Sequence, residues 1–350
     1  MGFLVSCTDL KNSTQPDNYL DAQSGLKRNI GAGESHLYTI DLKEGDLLHM
    51  EIEQFNIDVV IQIADADSQY VQEFDTPTGD WDAEHVYLKS DHAGVYTIRI
   101  NTEQKFPDPG MYAFESVEIR KSTEQDKAWM AALATTKKAD TLRARADTRL
   151  QSTPQYESAL DQWKAIGDTK QYANTLRAMG FTYVKMKIDA KAMEVFSQVL
   201  PLWKELKDTR SEGFTYLILA GLHKKQKNFS KSLDLNLSAL EAFERAGDAG
   251  QSAFTLLNIG HHYLEQGDSL QAVQFYDKAL IKSRDAGQPS IVATILREYA
   301  KSLSKLGEQK KAAQLYVESM EGWKLTANRP AEARTAATIA SFYSDIGSKR

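Results

Sequence analysis

The chain is poor in the residues that would staple it. Cys7 is its single cysteine among 350 residues, which excludes an internal disulfide framework and any cysteine-based metal site. No stretch approaches the roughly 18 apolar residues that a membrane-spanning helix needs. Prolines number 8, and few interrupt the region after residue 120. Catalytic signatures are missing as well. No glycine-rich phosphate loop follows a strand, no G-x-S-x-G elbow is present, and Cys7 lies far from any structured histidine with which it could form a dyad. The sequence therefore predicts no enzyme, no cofactor and no metal site.

What is present is unevenly distributed. Apolar residues make up 42% and charged residues 26%, ordinary for a chain that buries a core. Residues 1–120 carry 8 Lys and Arg against 22 Asp and Glu, a net of −14, whereas residues 121–350 carry 34 against 26, a net of +8. The length and this asymmetry predict two folded units. A net of +8 spread over the second unit is too dilute for nucleic acid.

Residues 1–33 read as a flexible leader rich in Asp, Asn, Ser and Gly. From there to residue 120 the apolar residues recur with period two. Tyr38, Ile40 and Leu42 are followed by Leu48, Met50 and Ile52, then by Ile57, Val59, Ile61 and Ile63. Val86 with Leu88, then Tyr96, Ile98 and Ile100, then Tyr112 with Phe114 complete at least six short strands. This predicts an antiparallel, jelly-roll-like β-sandwich. Leu37–Leu42, Gly45-Asp46, Gln54 with Ile57-Asp58-Val59, and Gly94-Val95-Tyr96 with Gly110-Met111-Tyr112 resemble the pre-peptidase-like β-sandwich of bacterial exported proteins. The resemblance implies a carbohydrate- or protein-binding accessory module. Asp65, Asp67, Asp75, Asp80, Asp82 and Glu84 crowd one loop-rich stretch with Trp81. They read as solvated turn residues, with a calcium-dependent carbohydrate-binding site as the alternative.

After residue 120 the period changes to forty. Trp163-Lys164, Trp203-Lys204, Phe243-Glu244, Ser283-Arg284 and Trp323-Lys324 open five frames in register. Gly180, Ala220, Gly260, Ala300 and Ala340 repeat a small residue on the first helix. Ala192, Ser232, Ala272 and Ala312 precede Phe196, Asn236, Tyr276 and Tyr316 on the second. The pattern resembles the tetratricopeptide repeat (TPR), whose small residues let paired helices approach closely. The longer period resembles the kinesin-light-chain-like subclass. The sequence thus predicts an all-α superhelix over 163–350 with three full repeats. A linking helix and degenerate repeat precede it at 121–162, and a truncated or uncapped helix ends it. The Asp that follows each frame's hinge is expected to cap the next helix.

The first helices should line the binding groove with Asn174, Arg177, Phe181 and Lys185, then Lys224 and Lys225. Asn258 and His261 follow, then Arg297, Lys301 and Lys305. Cations outnumber acids there, which suits an acidic peptide or a C-terminal carboxylate, against the alternative that these side chains simply solvate a helix face. His261 and His262 point about 100° apart on a helix and cannot chelate one metal together. Sandwich and repeats together resemble the N-terminal part of bacterial TPR proteins that end in a caspase-like CHAT protease domain, of which this chain has the recognition half. The leading expectation is a non-catalytic scaffold that binds a partner protein. The alternative is a regulatory fragment of a larger CHAT-type protease. Leu4-Val5-Ser6-Cys7 resembles a bacterial lipobox, which implies lipidation of Cys7 and a place in the periplasm or cell envelope. Only six residues precede that cysteine, short of a signal peptide, so an ordinary terminus and a cytoplasmic protein is the alternative. Met1-Gly2 with Ser6 also fits the loose myristoylation pattern.

Overall fold

The computed structural model describes residues 19–20, 26–31, 33–55, 57–65, 70–74, 83–102, 110–326 and 328–347. Cys7 lies outside them, as do Asp67, Asp75, Asp80, Trp81 and Asp82 of the acidic stretch. The chain divides into two compact units, 1–134 and 135–350.

The first unit holds eight strands: β1 (Leu26–Ile30), β2 (Ser35–Leu42), β3 (Asp46–Phe55), β4 (Val59–Ala64), β5 (Tyr70–Phe74), β6 (Glu84–Lys89), β7 (Gly94–Thr102) and β8 (Gly110–Lys121). They form two antiparallel sheets of four, in the orders β1-β8-β3-β6 and β2-β7-β4-β5. The alternating apolar residues close one continuous core, as the period-two pattern requires. Two strands lie beyond the six read from the sequence, β5 within the polar stretch before Val86 and β1. β1 falls inside the stretch read as a leader, because Lys27, Arg28 and Asn29 are exposed and only Ile30 is fully buried. At the sheet edge, Ile30 and the partly buried Leu26 suffice as anchors. Glu84 leaves the acidic stretch altogether. It is buried in β6 and accepts a bond from Gln54 Nε2 at 3.2 Å, while Gln54 Oε1 accepts from the Val59 amide at 2.6 Å. That pair fastens the β3–β4 turn.

Helix α1 (Glu124–Ala144) begins in a reciprocal cap. The Thr123 amide donates to Asp126 at 2.7 Å, and the Asp126 amide donates to Thr123 Oγ1 at 3.2 Å. Arg120 grips the same carboxylate through two nitrogens at 2.6 and 2.8 Å, holding Asp126 well below the usual carboxylate range. One turn on, Trp129 stacks on Tyr87 with ring centroids 3.7 Å apart.

The second unit is helical hairpins in strict 40-residue register. The first helices are α3 (Thr169–Lys185), α5 (Thr209–Lys225), α7 (Ala249–Glu265), α9 (Pro289–Lys305) and α11 (Arg329–Gly347). Their partners are α4 (Asp189–Glu205), α6 (Phe229–Arg245), α8 (Ser269–Asp285) and α10 (Gln309–Leu325). Before them α2 (Ser152–Ile166) pairs with the end of α1 through Tyr156–Asp140 at 2.5 Å and Trp163–Thr136 at 3.0 Å. Four complete hairpins from α3 to α10 replace the three expected. Trp323 opens a new sequence frame but lies in the last turn of α10, so the hairpin closes after the frame does.

The hinges explain the regularity. The eight hinges from Gly167 to Glu308 each have a left-handed residue, and at five of them the next residue serves both neighbours. At the first, Gly167 has φ 80°, the Asp168 amide donates back to Trp163 O at 3.2 Å, and the Asp168 side chain accepts from the Gln171 amide at 2.9 Å. Asp208, Asn228, Asp248 and Asp268 do the same for α5, α6, α7 and α8. One residue thus closes a Schellman motif and caps the next helix. Glycine holds the left-handed position at Gly247, Gly267, Gly287 and Gly307, yet lysine holds it at Lys187, Lys207 and Lys227, with φ of 60°, 58° and 62°. For a side chain with a Cβ that conformation costs about 1 kcal/mol or more.

Packing follows the small residues. Gly180 lies against the Phe196 ring and Gly260 against Tyr276, leaving no room for a methyl group at either. Tryptophans fill the far end of three second helices, Trp163, Trp203 and Trp323, all buried. The Trp163 indole reaches Thr136. At the register positions equivalent to Thr136 stand Leu176 and Leu296, and the indole nitrogens of Trp203 and Trp323 are buried with no hydrogen-bond partner among the described residues.

Candidate binding groove

The face lined by the first helices is not the simple row of cations that the register implied. Arg177 is fully buried, with its guanidinium 5.5 Å from the centre of the Trp203 ring. It belongs to the core rather than to an open groove. Phe181 packs edge-on against Phe196 at 5.4 Å, and Asn174 and Asn258 are half-buried. Lys185 is exposed; partial burial together with the nearby Arg143 and Arg149 lowers its pKa. Lys224 pairs with Glu265 at 2.8 Å and Lys225 with Asp189 at 2.6 Å. These two lysines tie neighbouring hairpins together.

Toward the C-terminal end the side chains converge. His261 from α7 and Lys301 and Lys305 from α9 line a cavity of about 500 Å³. Leu264, Tyr316 and Phe342 supply its apolar wall, and Thr338 and Ser341 of α11 supply hydroxyls. Glu298 organises the cations. It is 7% exposed. Lys301 Nζ approaches it at 3.0 Å, Arg297 Nε donates to it at 2.9 Å, and His261 Nε2 lies 3.4 Å away. Burial alone would raise its pKa, but His261 and Lys301 outweigh burial and hold it down at about 2. The carboxylate therefore stays ionised, and it neutralises part of the positive charge that the sequence ascribed to this face. Lys305 forms no ion pair among the described residues.

His262 turns away from its neighbour. It is buried, bonded to Gln266 Nε2 at 3.0 Å, and burial together with Lys224 lowers its pKa. The two histidines thus diverge, and among the described residues no group of three His, Cys, Asp or Glu could hold a metal ion. Sequence reasoning missed Glu298 because it sought cations, and missed Thr338, Ser341 and Phe342 because α11 was taken only as a terminal helix. The signal for Glu298 was there. An acid at the core side of a first helix, three residues before Lys301, needs a buried counter-charge.

Helical hairpins at this spacing, with a small residue facing an aromatic, are the geometry of one repeat family. Residues 212–280 match the tetratricopeptide repeat. Among solved structures, the apo form of RapI superposes with a TM-score of 0.54 at 16% identity, covering 61% of this chain and 63% of RapI. Aspartyl phosphate phosphatase F from Bacillus subtilis gives 0.52 at 15% identity, covering 65% and 62%. BtubC from P. vanneervenii gives 0.48 at 16% identity, covering 59% and 94%. This chain spans less than two thirds of the first two proteins. At such identities the likeness concerns the fold alone. No curated protein sequence matches the chain. The second unit is a TPR-like array.

Proposed function

We propose that the protein is a non-catalytic interaction scaffold whose TPR-like array holds a segment of a partner protein along the first-helix face. The cavity between α7, α9, α10 and α11 carries this reading. Its wall is apolar through Leu264, Tyr316 and Phe342 and charged through Lys301 and Lys305, while the carboxylates of Glu298 and Glu265 on the same wall are held by Lys301 and Lys224. That combination suits a segment presenting an apolar side chain beside an acidic one or beside a terminal carboxylate, since a charge-assisted bond supplies orientation and apolar burial supplies affinity. Glu298 keeps Lys301 in place, leaving Lys305 to meet the ligand. The β-sandwich then serves as a second recognition module.

Selection of displayed peptides on the intact protein tests the reading. Enriched peptides are expected to pair an acidic group with an apolar residue, and Lys305→Glu is expected to weaken their capture at least tenfold, the order expected when a charge pair is replaced by like charges. Enrichment of basic peptides, or capture unchanged in Lys305→Glu, would refute the assignment of the groove.

A further inference from the structure

Five exposed apolar side chains of the array share one kind of location. Leu150, Ile188, Phe229, Leu270 and Leu306 each sit at the turn between the first and second helix of a hairpin. They occur at five successive turns, from α1–α2 to α9–α10. Leu150 is 67% exposed and Leu270 63%. The turns lie side by side, as contacts between neighbours show. Lys225 of the third turn pairs with Asp189 of the second, and Lys185 of the second feels the charge of Arg149 at the first.

Cations flank these tips. Arg149, Lys185, Lys187, Lys191, Lys227 and Lys231 cluster at the first three turns. The acids there are largely spent, Asp147 on Arg145 and Asp189 on Lys225. Among the described residues Lys185, Lys187, Lys227 and Lys231 pair with no carboxylate. Two of these stand in the left-handed conformation where the sister turns use Gly267 and Gly307. Lys207 takes the same conformation at a hinge at the other end of the hairpins, so what sets this edge apart is the combination of unpaired lysines with exposed apolar tips.

We infer that this edge of the array docks on an anionic lipid bilayer. Single apolar tips, three of them beside the unpaired cations of the first three turns, are what shallow insertion into a headgroup layer requires. The cations meet the negative surface, and the tips enter the acyl boundary. A protein partner would call for a contiguous apolar patch rather than single tips one hairpin apart. Single-stranded nucleic acid would call for stacking platforms, but four of the five tips are aliphatic. No described helix is long and apolar enough to cross a membrane, so this contact is one of surface docking. It is independent of the peptide groove, because neither Lys187 nor Lys227 lines that cavity.

Sedimentation of the full chain with vesicles tests it. Binding is expected to phosphatidylcholine vesicles containing phosphatidylglycerol and not to phosphatidylcholine alone, with release by salt. The double variant Lys187→Gly/Lys227→Gly installs the residue that sister turns already use, so it is expected to melt no lower than the wild type. It should nevertheless bind about 30-fold more weakly, a factor of about five for each cation near the surface. Leu150→Ser/Leu270→Ser is expected to leave binding weaker and more readily reversed by salt. Equal binding to both vesicle types, binding to neither, or wild-type affinity in the lysine variant would overturn the inference. So would tight binding of polyglutamate or a single-stranded oligonucleotide without vesicle binding, which would give the edge to a soluble polyanion.

Discussion

Replacing Glu298 by glutamine removes the charge on which Arg297, Lys301 and His261 converge while keeping the shape of the side chain. The folded protein holds this carboxyl at about 2, against 4.5 for a free glutamate. A pKa lowered on folding stabilises the charged form. The gain is complete well above pH 4.5 and is lost as the pH falls toward 2. Over that span it amounts to ~3 kcal/mol at neutral pH and ~1 kcal/mol by about pH 3. Urea unfolding followed by circular dichroism, in wild type and Glu298→Gln, is expected to give a stability gap that shrinks accordingly on acidification. The variant also leaves Arg297 and Lys301 crowded without their counter-charge, which adds to the gap at neutral pH. A gap that stays constant between neutral pH and about pH 3 would refute the reasoning, since Glu298 would then act through packing alone.

Two further outcomes follow from the packing. Gly260→Ala drives a methyl group into the Tyr276 ring and is expected to cost ~1–3 kcal/mol. Gly221→Ala meets nothing within 4 Å and is expected to stabilise by ~0.5–1 kcal/mol, with thermal melting separating the two. Trp163→Phe breaks the bond to Thr136, whereas Trp203→Phe removes a buried donor with no partner among the described residues. The first is expected to be the more destabilising by ~1 kcal/mol in urea unfolding.

The hinges and hairpins were legible in the sequence because each repeats the same solution. Asp168, Asp208 and Asp248 sit where a helix cap must sit, and the structure shows them capping. Strand β1 was illegible because an edge strand with three exposed polar residues has no period to read. Arg177 was misplaced for a different reason. The register puts its Cα on the first-helix face, but Trp203 offers the guanidinium an aromatic surface beneath that face, and the long stem lets it reach there. Glu298 illustrates the remaining gap. Its pairs with Arg297 and Lys301 are local and could have been read from the spacing, but the third partner, His261, is 37 positions away on the preceding first helix and only the fold brings it there.

The hinge that one residue closes from both sides has a mechanical consequence. With a left-handed residue and a shared cap between helices there is no slack chain to pay out, so the array cannot lengthen by loosening a loop. Any stretch or twist imposed by a ligand must be shared as small slips between packed helices, as load is shared along a coil spring. The hinges at Ile188, Gln288 and Glu308 lack the side-chain bond that caps the others. They are the compliant points of that spring, and two of them bracket α9, the helix that carries Glu298, Lys301 and Lys305.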